Sequence, residues 1–104
     1  MATAATQQDP VNVDPKHYTV ELENERVRVL RIRYGPGEVS AMHSHPEAVL
    51  VFLTDAEARF TYPDGKTEEI RGRAGEIASL PAMTHLPESL SAKPFEVVLV
   101  ELKG

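Results

Sequence analysis

The chain contains no cysteine. Disulfides therefore play no part in the fold. Zinc–thiolate and iron–sulfur chemistry are excluded as well, so any metal must be held by His, Asp or Glu. Positive charge is also short: 11 Lys and Arg against 16 Asp and Glu leave a formal net charge of -5, with a pI near 5.3. Nucleic acid and anionic membranes both require a basic surface, so neither is an expected partner. Long apolar runs are missing. The longest, residues 48–53, is far too short to span a bilayer. Residues 1–10 carry neither a basic segment nor an apolar one, which reads against a secretory leader and makes the cytoplasm the expected compartment. A glycine-rich phosphate loop and a Gly-x-Ser-x-Gly elbow are absent too.

What is present describes a small globular protein. A length of 104 residues suits one domain, and 41% hydrophobic with 26% charged residues suits a packed core. Residues 1–16 are small, polar and punctuated by Pro10 and Pro15, and are expected to form a flexible arm before a domain over 17–104. Within that domain the dominant period is two. It predicts strands over 17–22, 26–34, 49–53, 57–62, 67–71, 76–80 and 95–102. Adjacent apolar residues Val29 and Leu30 interrupt the alternation and predict a bulge at that point. Gly35-Pro36-Gly37 and Pro63-Asp64-Gly65 are turn signals, and Pro87 with Ser89 makes residues 84–93 read as loop. Short strands at this spacing, with no helical period, predict an all-β barrel or sandwich.

The chemistry-bearing pattern is His43-Ser44-His45, shortly after Gly37. In a strand, residues i and i+2 share a face, with Cα atoms roughly 6.5 Å apart. Two imidazoles at that separation can converge on one ion about 2.1 Å from each nitrogen. A third histidine, His85, follows a similar glycine-to-histidine segment that begins at Gly75 and passes Pro81. His17 has no such context and reads as a surface or strand-edge residue. The phase slip splits Arg26, Arg28, Arg31 and Arg33 between faces; they read as solvent-exposed strand, with one of them able to reach the pocket and bind a substrate carboxylate.

These two segments resemble the paired motifs of the cupin family. Gly37, His43 and His45 fit the first motif, and Gly75, Pro81 and His85 fit the second, with His85 one residue closer to the proline than the pattern asks. The resemblance spans residues 26–102 and implies a cupin-type double-stranded β-helix, or jelly-roll, barrel. It also implies a site for a divalent metal ion (Fe, Mn, Ni, Cu or Zn) with His43, His45 and His85 as ligands. The chain departs from the family where a glutamate ligand is expected, since that place falls at Val49 or Leu50. Met83 and Ser89 replace the second motif's glycine and asparagine. Either three histidines hold the ion alone, or Glu47 or Glu88 joins them.

A three-histidine centre resembles those of cupin dioxygenases that act on thiols and diketones. It implies a non-haem metal-dependent dioxygenase acting on a small chelating or anionic substrate. A metal-dependent lyase or isomerase is the neighbouring reading, and a non-catalytic binding or sensing module is the alternative from another class. The resemblance further implies a homodimer with a small-molecule ligand or substrate. No residue besides Glu47 and Glu88 stands out as a general base.

Overall fold

The structure, a computed structural model, describes residues 8–104. Nine strands follow one another: β1 (Tyr18–Glu23), β2 (Val27–Tyr34), β3 (His43–His45), β4 (Ala48–Phe52), β5 (Ala56–Thr61), β6 (Thr67–Gly72), β7 (Ile77–Leu80), β8 (Met83–Ser89) and β9 (Phe95–Leu102). They form a five-stranded sheet ordered β1-β2-β9-β4-β7 and a four-stranded sheet ordered β3-β8-β5-β6. Every neighbouring pair is antiparallel. The alternation read from the sequence is the alternation that packs. Ala48, Leu50 and Phe52 of β4 and Phe95, Val97 and Leu99 of β9 point between the sheets, where they join Leu30, Ile32 and Tyr34 of β2 in one core. Such packing of two inner faces is how a sheet pair removes its apolar side chains from water.

Between β5 and β6 the Pro63-Asp64-Gly65 turn closes as its sequence predicts. Gly65 takes φ +88°, a left-handed conformation that side chains rarely adopt, and Tyr62 N–H donates to Lys66 O across the turn. No helix among the described residues is long and apolar enough to cross a membrane.

Three expectations are corrected. The bulge lies in β1, not β2: β2 pairs with β9 unbroken from Val27 to Tyr34, while the register of β1 shifts between Val20 and Leu22, opposite Leu30 and Val29. The slip in sequence phase was real, but the edge strand absorbs it, because β2 is fixed on its other side. Residues expected as loop over 84–93 instead supply most of β8, which pairs with both β3 and β5. Pro87 is tolerated because β3 stops at His43, opposite His85, and beyond it the chain returns to β8 through a single bridge, Val39 to Glu88. On that side the Pro87 carbonyl accepts from Ser40 N–H, and no regular ladder demands a donor from it. The third correction concerns His17, which is buried.

Of the arm expected over 1–16, residues 1–7 lie outside the described residues. Residues 8–16 lie against the barrel. A one-turn helix, α1 (Pro10–Val13), is capped by Asp9, whose carboxylate accepts from Val11 N–H, and Pro10 stands at the helix start where its missing donor costs nothing. Ser44 N–H donates to Gln8 O, so this segment extends the free edge of β3, and α1 also contacts β1. It thus bridges edge strands of the two sheets.

Candidate metal centre

His43 and His45 point inward from β3, and Ser44 between them points outward to Thr84 Oγ1 at 2.7 Å. Antiparallel pairing of β3 with β8 sets His85 directly opposite His43. The three rings then pack edge to face, with centroids 4.7, 4.9 and 5.2 Å apart. One nitrogen from each lies within 4.8 Å of the others. All three are buried, with exposures of 0% for His43, 8% for His45 and 3% for His85.

The hydrogen bonds around the rings fix where the free nitrogens are. His43 Nδ1 faces the Ala41 carbonyl at 2.8 Å, which can only accept, so Nδ1 carries the proton and Nε2 keeps its lone pair. His45 Nδ1 donates to Glu101 Oε2 at 2.7 Å, which leaves its Nε2 for the cluster. His43 Nε2 and both nitrogens of His85 are buried without a hydrogen-bond partner among the described residues. A buried polar atom left in that condition costs roughly 1–3 kcal/mol. Burial first, and then the neighbouring histidines, push His43 down to about 4 and His85 down to about 2. Both are therefore neutral at physiological pH, the form that binds metal. Three neutral imidazoles with converging lone pairs are a donor set that suits divalent first-row ions.

Neither candidate carboxylate ligand comes near. Glu47 is exposed, and Glu88 faces Arg59 at 3.6 Å on the outer surface. At the place of the family glutamate, Val49 points outward and Leu50 lines the interior cavity. That cavity has a volume of about 60 Å³, and His45 and His85 meet it among apolar and aromatic side chains, including Phe52, Phe60 and Phe95. No Lys or Arg lines it. Arg31 and Arg33 bond Glu96 on the outer face, and Arg28 is held by Asp9 and Glu101. At the cavity wall Tyr18 and Tyr34 share one hydrogen bond, OH to OH at 2.7 Å, and burial above all raises both phenols.

Two residues of this region escaped the sequence reading. Glu101 is 3% exposed and bridges His45 to Arg28, whose Nε donates to it at 2.9 Å. Its signal was present, since Glu101 continues the inward phase of Phe95, Val97 and Leu99. His17, expected at the surface, stacks flat on Tyr34 with centroids 4.1 Å apart. Its two nitrogens bond Asp14 at 2.7 Å and Glu38 at 3.0 Å. It is buried because residues 14–16 and 35–38 fold over it.

No protein-family model matches the chain, and no curated protein matches it. Solved structures do. A cupin domain from Bordetella pertussis Tohama I is 28% identical, with a TM-score of 0.76 over 84% of this chain and 92% of its own. A protein with a double-stranded β-helix domain from Klebsiella pneumoniae is 27% identical, with a TM-score of 0.66 over 84% of this chain and 76% of its own. The polyketide cyclase RemF from Streptomyces resistomycificus shares the fold at 18% identity, with a TM-score of 0.59 over 82% of this chain and 63% of its own. The chain has the double-stranded β-helix fold of small cupin domains.

The buried histidines predict how stability of the metal-free protein depends on pH. Unfolded histidines take up protons near the ordinary value of 6.5, while folded His43 and His85 resist until about 4 and about 2. Below 6.5 the unfolded state therefore binds more protons than the native state, and unfolding free energy falls with pH. Urea midpoints measured without metal should decline steadily from pH 6.5 toward 4.5, before most carboxylates begin to titrate. A flat profile in that window would mean that the imidazoles are solvated.

Proposed function

We propose that His43, His45 and His85 hold one divalent metal ion, and that the protein uses it on a small molecule admitted to the adjoining cavity, as a metal-dependent dioxygenase. The observation that carries this reading is the set of buried histidine nitrogens, His43 Nε2 and both of His85, that no group among the described residues satisfies. A core histidine serving structure alone is ordinarily paired, as His17 is on both nitrogens. When bound, the ion supplies Lewis-acid polarisation and, if it is iron, a place for oxygen chemistry.

The protein's own residues do the rest. Leu50, Phe52 and Phe60 exclude water from the cavity, which strengthens every charge interaction inside it. With no cationic side chain in the lining, an anionic substrate group finds positive charge only at the ion. That selects a small substrate with one chelating anionic head and an apolar body. No residue lining the cavity other than the histidines and the paired tyrosines carries a transferable proton. This favours a reaction that needs little acid–base help, as oxidative cleavage does, over a lyase or isomerase reaction. The second reading is a binding module without catalysis, favoured by the cavity's modest 60 Å³ volume.

Elemental analysis of protein purified without an affinity tag tests the centre. About one divalent transition metal per chain is expected in the wild type, and none in the His43→Ala, His85→Ala variant. Equal metal in both would remove the site from consideration. Oxygen uptake by the iron-loaded protein with small thiols and diketones then separates enzyme from binding module.

A further inference from the structure

We infer that Asp14 and Glu101 are positioning residues of this centre, and that they supply from behind its histidines the negative charge that Leu50 withholds from the ligand set; the inference rests on the reading of His43, His45 and His85 as ligands. Two separate chains of contacts lead there. Glu101 Oε2 accepts from His45 Nδ1 at 2.7 Å. Asp14 Oδ2 accepts from Ser40 Oγ at 2.6 Å, and that hydroxyl lies 3.2 Å from His43 Nδ1. Glu101 thus stands directly behind the outward nitrogen of His45, while behind that of His43 the Ala41 carbonyl takes the proton and Asp14 adds its charge through the Ser40 hydroxyl. His85 has no such backing, since neither of its nitrogens has a partner.

Both carboxylates are buried, so their charge acts on the rings with little screening. A carboxylate behind an imidazole does two things. It fixes the tautomer that turns Nε2 to the metal, and it raises the basicity of that nitrogen. A neutral three-histidine set leaves an ion's charge uncompensated in an apolar interior, which is costly. Two anions beyond the ligand set, Glu101 directly behind His45 and Asp14 behind Ser40, offset it without occupying a coordination position.

Neither carboxylate is there by accident of the surface. Asp14 is held by His17 Nδ1 at 2.7 Å, and Glu101 by Arg28, which also donates two hydrogen bonds to Asp9 at 2.7 and 2.9 Å. Asp9 and Asp14 flank α1. The segment that closes the edge of β3 therefore braces both ligands of β3 from outside.

The test is titration of metal-free wild type, Glu101→Gln, Asp14→Asn and Ser40→Ala with Co(II), reading affinity and the position of its visible absorption bands, with thermal midpoints of the metal-free forms beside them. Glu101→Gln is expected to weaken Co(II) binding by about tenfold or more and to shift the bands. Asp14→Asn should do the same. Ser40→Ala removes the hydroxyl between Asp14 and His43, with its contact to the Ala41 carbonyl, but leaves Asp14 on His17, so it should reproduce the loss of Asp14→Asn while its metal-free midpoint stays near wild type. That keeps the question decidable if Asp14→Asn folds poorly. Affinity within twofold of wild type and unmoved bands in Glu101→Gln and Ser40→Ala would overturn the inference while leaving the three-histidine reading intact. Absence of Co(II) binding by the wild type would overturn both.

Discussion

Arg28→Met should destabilise the metal-free protein by on the order of 3 kcal/mol, the cost of leaving a buried carboxylate without its cationic partner. Arg28 is the only full positive charge in contact with Glu101 among the described residues. In the variant, Glu101 keeps His45 Nδ1 but loses the guanidinium, and no water reaches it easily. Asp9, the other partner of Arg28, is half-buried and still caps α1, so its share of the loss is small. The double variant Arg28→Met, Glu101→Leu separates the two contributions. Removing a buried ion pair whole, in favour of apolar groups of similar size, is often close to neutral. The double variant should therefore recover part of the stability that the single variant loses, short of wild type by the cost of the buried His45 Nδ1–H left without its acceptor, while its metal affinity stays reduced because His45 has lost its carboxylate. Urea unfolding of both proteins at neutral pH is the measurement. A loss under about 1 kcal/mol in Arg28→Met would show that Glu101 is hydrated rather than enclosed.

The sequence carried the barrel well because its signals are local. Alternation in residues 27–34, 48–52 and 95–102 reports directly which side chains face the core. The phase of His43 and His45 is of the same kind. His85 was legible through its motif but not through its strand, because Pro87 and Ser89 are read as loop formers. Only the partner strands reveal that the proline faces an edge without a regular ladder. The bulge shows a similar limit. A slip at Val29 and Leu30 announces that one of two paired strands must yield, and which one depends on what lies on the far side of each. Glu101 and His17 are the instructive misses. A charge one step beyond an apolar run is ordinarily solvated. That Glu101 is not depends on Arg28 arriving from β2, a pairing 73 residues away in sequence. His17 depends on Asp14 and Glu38 meeting over it, which no periodicity encodes. Local pattern thus located the ligands, while the groups that orient them were set by register between distant strands.

His85→Leu should make the metal-free protein more stable, by about 1–3 kcal/mol, while abolishing its metal site. The reason lies in what His85 now touches. Both of its nitrogens are buried without partners, and the ring packs edge-on against Phe60 with centroids 4.3 Å apart. Leucine has a similar volume, carries no polar atom and suits the apolar neighbours, so it removes the cost of the orphaned nitrogens without opening a void. The pH profile should change with it. One of the two histidines that refuse a proton on folding is gone, so the decline in stability below pH 6.5 should become shallower. Added metal should reverse the order of the two proteins. An ion that binds only the native wild type stabilises it by about 4 kcal/mol at a concentration a thousand times its Kd, and gives His85→Leu nothing. The two stability curves therefore cross as metal is titrated. A structural histidine predicts the opposite at the first step: a leucine there would lower the stability of the metal-free protein, and no crossing would occur. The sign of that one measurement decides whether the unsatisfied nitrogens are held in reserve for an ion.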